Sequence, residues 1–356
     1  MMNFFPWDET GWVQGETFIF LGEEGMAVPA FGLKTLSCVE QRQSGALFEE
    51  GRDFAVDRST GTIRRLKGGR IPFLTPEQLY PDGKNAILHP APDANAIGNA
   101  PGSPTGYVLF SSGDFFLRHA VSVTYTAAQP LPVVTAEPGN LPRFAALVER
   151  REPVKIAFIG DSITNGLNAS GRIGVPPYLP PYPGRVAAWL SARTPCVFTN
   201  CAVSGKSSAQ GPEHFAKVLT RQTPDLLFIA YGMNELGSAP EDFAARIAAL
   251  VAQGRAANPE MEFVLISPMR KNREWGNTPL DADRAFEAAL TGLASADPHI
   301  ALAPVNRLWR EVEDRKTFLD LTGNGVNHPN DFGHALYTLV IAEVLKKALE
   351  GQRSKF

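Results

Sequence analysis

Four residues of this sequence carry groups that together could transfer an acyl group. Acyl transfer needs a nucleophile, a base that takes its proton and hydrogen-bond donors aimed at the developing oxyanion. Ser162 would be the nucleophile, and His328 would act as general base and then as general acid. The oxyanion would be held by the backbone N–H groups of Ser162 and Gly205 and by the side-chain amide of Asn234. The predicted reaction is hydrolysis of an ester through an acyl-enzyme, and it requires neither a metal ion nor a cofactor.

The segments before these residues predict the sheet that would position them. Residues 154–159 form a short, nearly continuous apolar run, which is typical of a strand buried on both faces in a parallel sheet. Further strands are predicted at 197–202, 225–231, 263–267 and 300–305, with helices at 184–190, 213–221, 241–257, 281–294 and 331–349. Alternating βα units predict a parallel sheet with right-handed crossovers, the α/β class. The candidate residues would then meet at the carboxyl edge of the sheet.

Two residues beside the serine are predicted to support it. Gly160 allows a tight turn after the strand, and Asp161 is predicted to brace the serine loop by hydrogen bonds to nearby backbone. Asn165 is predicted to help order the same loop. The remaining histidines have no supporting motif and are predicted to be structural or incidental: His89, His119, His214, His299 and His334.

Four blocks, in order and each beyond a predicted strand, resemble the blocks of the SGNH (GDSL-like) hydrolases. They are Gly160-Asp161-Ser162, the block around Gly205, Gly232-Met233-Asn234 and His328-Pro329-Asn330. The residues that give the family its name correspond here to Ser162, Gly205, Asn234 and His328. The resemblance covers roughly residues 143–349. It implies a flavodoxin-like three-layer α/β/α SGNH hydrolase domain with the activity of a serine esterase.

The sequence departs from the family pattern three residues before His328. Many members have an orienting aspartate there, whereas this chain has Gly325. The hydrogen bond from the far imidazole nitrogen could instead be accepted by Asp320, by a main-chain carbonyl of residues 324–326 or by Asp331. We predict Asp320 or a main-chain carbonyl as the third group, because Asp331 opens the apolar period of the last helix and is predicted to be its N-cap.

The first 126 residues have a different sequence pattern, which predicts a small antiparallel β-sandwich. Short runs rich in β-branched and aromatic residues predict strands at 18–21, 33–39, 54–57, 61–66, 106–110 and 120–125. The stretch 80–104 is rich in Pro, Gly, Asn and Ala and predicts a long ordered loop. We therefore predict an accessory domain at 1–126, a linker at 127–142 and the SGNH hydrolase domain at 143–356.

Composition excludes several classes of protein. The chain has 356 residues with 44% hydrophobic and 20% charged residues and a formal net charge of -3, which gives no electrostatic reason to bind nucleic acid or an anionic membrane. No basic leader followed by an apolar run is present, so the sequence as it stands is expected to be cytoplasmic, although one trimmed of a signal peptide would look the same. Cys38, Cys196 and Cys201 are scattered, which indicates neither a disulfide framework nor a zinc site.

The preferred substrate at this point is an O-acetylated carbohydrate. The loops 169–183 and 270–279 are rich in Gly, Pro, aromatic and charged residues, and Trp275 with Arg270, Lys271 and Arg273 could hold a sugar. A β-sandwich ahead of an SGNH domain also resembles the arrangement of carbohydrate esterases that remove acetyl groups. The alternatives are a small-acyl esterase or thioesterase that acts on a metabolite, and a catalytically inactive carbohydrate-binding protein.

Overall fold

The computed structural model describes residues 4–134, 139–276, 279 and 281–353. The N-terminal part contains strands β1 to β10, which are Trp12–Phe18, Phe20–Leu21, Met26–Ala27, Leu33–Gln41, Phe54–Asp57, Thr62–Arg65, Phe73–Leu74, Ala96–Ile97, Val108–Leu109 and Val121–Ala127. It also contains the short helices α1 (Pro76–Leu79) and α2 (Phe115–His119).

The N-terminal strands pair mainly antiparallel. β10 lies between β1 and β4 in one three-stranded sheet, and β6 lies between β3 and β5 in another. β8 and β9 form a short antiparallel pair, whereas β2 and β7 pair parallel. All six predicted strands overlap observed ones, but most of β1 was missed, and so were the two-residue strands β3, β7 and β8, the last of them within the predicted loop 80–104. Gly15 has φ +66° and the register shifts between Val13 and Glu16, so β1 lacks a regular alternation.

The rest of the chain alternates between strands and helices. Strands β11 to β15 are Val154–Gly160, Cys196–Asn200, Leu226–Ala230, Glu262–Ile266 and Ile300–Ala303. Helices α3 to α11 are Pro142–Glu149, Ser162–Asn165, Ser170–Ile173, Tyr182–Ser191, Gly211–Leu219, Pro240–Ala257, Ala282–Ser295, Val305–Glu313 and Asp331–Arg353, with 3₁₀ turns at Ser208–Gln210 and Phe318–Asp320. None of these described helices is long and apolar enough to cross a lipid bilayer.

The five strands form one parallel sheet in the order β12-β11-β13-β14-β15. This is the flavodoxin-like order, and it confirms the predicted α/β class. The switch point lies between β11 and β13, where the strand order reverses. Open α/β sheets bind ligands in the crevice outside the carboxyl ends at such a point. Ser162 follows β11 and Asn234 follows β13, so both candidate residues stand beside that crevice.

The N-terminal part is packed against the parallel sheet domain. One apolar cluster extends from Val13 of β1 to Phe158 of β11. A buried ion pair joins Glu16 of β1 to Lys316, with 2.6 Å between the charged atoms and both side chains 0% exposed. The domain boundaries at 126 and 142 stay a prediction, and residues 135–138 of the predicted linker lie outside the described residues.

Candidate active site

Ser162 opens helix α4 directly after the central strand β11. Asp161 is the N-cap of that helix, and its carboxylate accepts a hydrogen bond from the Ile163 N–H at 2.9 Å. Gly160 packs so closely that a β-carbon there would collide with Thr164 and with the Ala230 carbonyl. A strand, a glycine turn and a capped helical turn therefore hold the serine, whose side chain is 4% exposed.

His328 reaches the serine from the loop before α11. Its Nε2 lies 2.9 Å from Ser162 Oγ, which is hydrogen-bond distance. The loop is fixed by Asn324, whose side-chain oxygen accepts from the backbone N–H groups of residues 326–328 at 3.0 Å each. Gly325 has φ +89°, and a β-carbon there would collide with the Leu109 carbonyl. The loop is thus built around a glycine, which explains why no aspartate stands at this position.

The far imidazole nitrogen of His328 is bonded to Asn168, a residue that sequence reasoning missed. His328 Nδ1 lies 2.8 Å from Asn168 Oδ1, and Asn168 Nδ2 donates to the Gly323 carbonyl at 3.0 Å. Asn324 Nδ2 is also 3.1 Å from Nδ1, but it has the side-chain oxygen of Asn327 as an acceptor at 2.9 Å. If Nδ1–H donates to Asn168, Nε2 is left unprotonated and can accept the serine proton. Asn168 has φ +65°, a backbone that asparagine tolerates better than most residues, but this conformation is visible only in the structure.

The structure does not bring Asp320 to His328. The Asp320 carboxylate accepts from the Ile19 N–H at 2.7 Å and from the Thr317 N–H at 3.1 Å, and Lys316 Nζ lies 3.9 Å away. Asp320 therefore caps a 3₁₀ turn and ties it to the N-terminal part. Burial raises the pKa of this carboxyl, and the neighbouring lysine charge opposes that shift. Its predicted place in the site is taken in this structure by Asn168.

The carboxylate of Asp331 is also bonded to groups other than His328. It accepts from the Ser170 N–H at 3.1 Å and faces Arg42 at 3.5 Å and Arg185 at 3.6 Å. The side chain that caps α11 is Asn330, whose oxygen accepts from the backbone N–H groups two and three residues further on, at 3.0 Å each. The prediction of Asp331 as the N-cap was wrong by one residue. The Asp331 carboxylate instead faces two arginines that are distant in the sequence.

Replacing Asp320 with alanine is expected to weaken the fold and to spare the chemistry. Two backbone N–H groups and Lys316 would lose a buried acceptor, which should lower the free energy of unfolding by about 2 kcal/mol. The catalytic constant for a p-nitrophenyl ester should stay within about twofold of wild type, as this side chain touches no candidate catalytic residue. Urea unfolding and steady-state kinetics, with the exposed Asp314→Ala as the matched control, measure both effects. A stably folded Asp320→Ala protein without activity would show that Asp320 is required for catalysis after all.

Gly205 and Asn234 lie on neighbouring loops at the carboxyl edge of the sheet. Gly205 has φ +74°, and Asn234 Nδ2 donates to the Lys206 carbonyl at 2.9 Å, which joins the two loops. Both residues are exposed to solvent. Glu235 secures the same junction, since its carboxylate accepts from the Ser208 N–H at 2.8 Å. Asn165 donates to the Ala202 carbonyl at 3.0 Å and so ties the serine loop to the segment before Gly205.

Burial shapes the electrostatics of the site. It lowers the pKa of His328 to about 4, and the charge of His89 acts in the same direction. It also raises the pKa of Asp161 to about 7, assisted by the charge of Glu235 and opposed by backbone hydrogen bonds that include the one from Ile163. A protonated Asp161 still accepts the Ile163 N–H through its carbonyl oxygen, so its bracing role does not depend on its charge.

The pKa of His328 sets an expected pH profile. A protonated imidazole cannot accept the serine proton, so kcat/KM should fall as the pH drops through about 4, whereas an unshifted histidine would lose activity below about 6.5. We expect the enzyme to keep most of its kcat/KM at pH 5.5. The measurement is kcat/KM for p-nitrophenyl acetate between pH 3.5 and 8, with circular dichroism at each pH to exclude unfolding. An acidic limb centred near pH 6.5 would contradict the buried environment of this histidine.

The other histidines have different surroundings. Four are bonded within the fold: His334 accepts from the Tyr182 backbone, His214 pairs with Tyr231, His299 with Glu262, and His119 with the Phe115 carbonyl. His89 differs from them, since it is exposed and its ring packs against Phe110, with 4.6 Å between the ring centroids. The prediction that His89 is incidental therefore needs a separate test.

The loop that begins at Arg270 contains more structural anchors than the sequence indicated. Arg270 is 7% exposed and bonds to Glu313 at 3.3 Å, so most of its side chain is held within the fold. Trp275 packs against a small cluster that contains Phe110 and Val326, with Lys271 Nζ 5.0 Å from its ring centroid. Residues 277 and 278 of the predicted substrate loop lie outside the described residues. Among the described residues, no three His, Cys, Asp or Glu side chains are grouped to hold a metal ion.

Comparison with known proteins gives a family match over half of the chain. Residues 158–336 match the family described as GDSL-like lipase/acylhydrolase. No protein with a curated description matches. Among solved structures, a two-domain esterase active on acetylated mannans and co-crystallised with mannopentaose is 22% identical with a TM-score of 0.47, and the match covers 60% of this chain and 55% of that one. An acetylxylan esterase from Geobacillus stearothermophilus is 19% identical with a TM-score of 0.43, covering 55% of this chain and 94% of that one.

Proposed function

Since the chain belongs to the GDSL-like lipase/acylhydrolase family of SGNH hydrolases and is a carboxylic ester hydrolase, we propose that it removes a small acyl group, acetyl in the first instance, from a carbohydrate through an acyl-enzyme on Ser162. The observation that carries the proposal is the line of hydrogen bonds from Ser162 Oγ through both nitrogens of His328 to Asn168 Oδ1, with distances of 2.9 and 2.8 Å. A nucleophile, a base and a group that orients the base are thereby joined, as nucleophilic catalysis requires.

The proposed reaction proceeds in two steps. Ser162 Oγ attacks the ester carbonyl while His328 Nε2 takes its proton, and the imidazolium returns that proton to the alcohol oxygen as the alcohol leaves. A water molecule, deprotonated by the same nitrogen, then releases the acid from the serine. Asn168 accepts the hydrogen bond from Nδ1 and keeps the imidazole in the required tautomer throughout.

The proposed oxyanion donors come from three chain segments. They are the backbone N–H groups of Ser162 and Gly205 and the side-chain amide of Asn234. Asn234 uses one amide hydrogen on the Lys206 carbonyl, so its second hydrogen is the one proposed for the oxyanion. Support for these roles comes from the joined loops at the sheet edge and from the resemblance of the sequence blocks around these residues to those of the family.

Two cavities near the site have walls of mixed polar and apolar residues, and their polar groups support a polar alcohol as the leaving group. One cavity of about 660 Å³ is lined by residues of the segment 77–118 that include Tyr80, Asp93 and Phe110. Residue 111, which also lines it, donates its backbone N–H to the Asn324 carbonyl, so the cavity wall adjoins the loop of His328. A second cavity of about 480 Å³ is lined by charged residues such as Arg273 and Glu274. A long acyl chain needs apolar walls, whereas hydroxyl groups are matched by carboxylates, amides and aromatic rings.

Hydrolysis assays test this function. We expect the protein to cleave p-nitrophenyl acetate faster than the butyrate and octanoate, and to release acetate from an acetylated oligosaccharide. Preference for the octanoate would favour a lipid or long-chain acyl substrate. Cleavage of small esters or thioesters without release from the oligosaccharide would favour a metabolite esterase. A serine that neither turns over an ester nor reacts with a fluorophosphonate would favour a carbohydrate-binding protein without catalytic activity.

A further inference from the structure

His89 lies next to the segment that carries His328. Its ring rests on the ring of Phe110, with 4.6 Å between the ring centroids. Phe110 is 6% exposed and packs in a small cluster with Val326, two residues before His328. His89 itself is exposed. A single buried aromatic ring therefore links His89 to the loop of the proposed base.

The loop around His89 is held in a defined conformation. The His89 N–H donates to the Ala96 carbonyl at 3.0 Å, and Asn95 Oδ1 accepts from the Ile87 N–H at 2.8 Å. The Phe110 N–H donates to the Asn95 carbonyl at 3.2 Å. A side chain on a loop that is already ordered loses less conformational entropy when it binds a ligand. His89 thus combines exposure with a fixed position.

The chemistry of the reaction says which part of the substrate lies beside His328. The imidazolium must give its proton to the alcohol oxygen, so the alcohol leaves on the side of His328 and the acyl oxygen lies towards the oxyanion donors. Two other histidines interact with the charge of His328: His89 from the N-terminal part and His334 from α11. His334 is 0% exposed. Of these two, His89 is the one that a substrate can touch.

We propose that His89 is a specificity residue on the leaving-group side of the active site, where its imidazole hydrogen-bonds the alcohol part of the ester, a sugar hydroxyl in the carbohydrate substrate proposed above. The inference rests on the proposed esterase function. It assigns to the N-terminal part a direct contact with the substrate in addition to its packing against the sheet domain.

The test varies the alcohol while the acyl group stays acetyl. For His89→Ala, we expect KM for an acetylated oligosaccharide to rise about fivefold with kcat within about twofold, the loss of one hydrogen bond. KM for methyl acetate, whose alcohol is too small to reach His89, should not change. His119→Ala, a histidine of the same part that bonds to the Phe115 carbonyl, is the matched control and should behave as wild type. An unchanged KM for the oligosaccharide, or an equal rise for methyl acetate, would overturn the proposal.

The kcat for methyl acetate separates a lost contact from loop disorder. It should stay within about twofold of wild type in His89→Ala, because this ester does not reach His89, whereas disorder of the loop that adjoins His328 would lower it. A kcat for methyl acetate that falls together with the activity on the oligosaccharide contradicts the assignment. If wild type cleaves p-nitrophenyl acetate but not the oligosaccharide, the carbohydrate part of the proposed function fails. In that case the test of His89 is the KM for p-nitrophenyl acetate. We expect this KM to rise in His89→Ala while the KM for methyl acetate does not change, and an unchanged KM or an equal rise for methyl acetate would overturn the proposal.

Discussion

Replacing Ser162 with alanine is expected to reduce ester hydrolysis by about 10⁴-fold or more, down to the residual rate that binding and oxyanion donors support without a nucleophile. The reason is chemical, because the acyl-enzyme cannot form without Oγ. The protein should remain folded, since the change removes one oxygen from a helix turn whose cap, Asp161, stays in place. Steady-state hydrolysis of p-nitrophenyl acetate gives the magnitude.

Covalent labelling identifies the nucleophile independently of turnover. A fluorophosphonate should modify wild type once, on the peptide that contains Ser162, and should leave Ser162→Ala unlabelled. Ser112→Ala, an exposed serine in the segment next to the site, is the matched control and should label and turn over as wild type. Substantial activity in Ser162→Ala, or a label on another serine, would contradict the proposed mechanism.

The second large effect is expected at Asn168. Loss of its side-chain oxygen removes the acceptor for His328 Nδ1–H, so the imidazole can adopt the wrong tautomer or turn away from Ser162. We expect kcat to fall by about 10²- to 10³-fold in Asn168→Gly. Glycine is chosen because it accepts φ +65° at this position without strain, whereas alanine would add a backbone penalty to the missing bond.

Aspartate at the same position supplies the control. Asn168→Asp keeps the acceptor and adds a negative charge, so it should retain much of kcat and raise the pKa of His328 from its lowered value of about 4. The acidic limb of kcat/KM would then move to higher pH, since a more basic imidazole is protonated earlier as the pH falls. Wild-type kcat in Asn168→Gly, or an unmoved limb in Asn168→Asp, would show that another group orients the histidine.

The role of Asn168 gives a physical reason for the lowered basicity of this site. An amide oxygen accepts the hydrogen bond that a carboxylate accepts in many relatives, but it brings no charge to stabilise the imidazolium. Burial is then not offset, and the pKa of His328 falls to about 4. The loop also excludes the usual aspartate, since Gly325 has a positive φ and packs against the Leu109 carbonyl of the N-terminal part.

The sequence by itself determined the family and the α/β class, and through the family it predicted an esterase. These follow from local features: apolar runs that become buried strands, and short motifs directly after them. In a parallel sheet the carboxyl ends of the strands share one edge, so Ser162, Gly205 and Asn234 are brought together by connectivity alone. Each of these predictions needs only residues that are close in sequence.

Only the tertiary structure decided which groups surround His328. Asn168 precedes it by 160 residues, and His89 comes from a loop whose approach to the site no periodicity indicates. Asp320 precedes His328 by few residues in the sequence, yet the Ile19 N–H and the buried Lys316 hold its carboxylate elsewhere. A buried acceptor bonds to the donors that the fold places beside it, and those donors come from segments that are distant in the sequence.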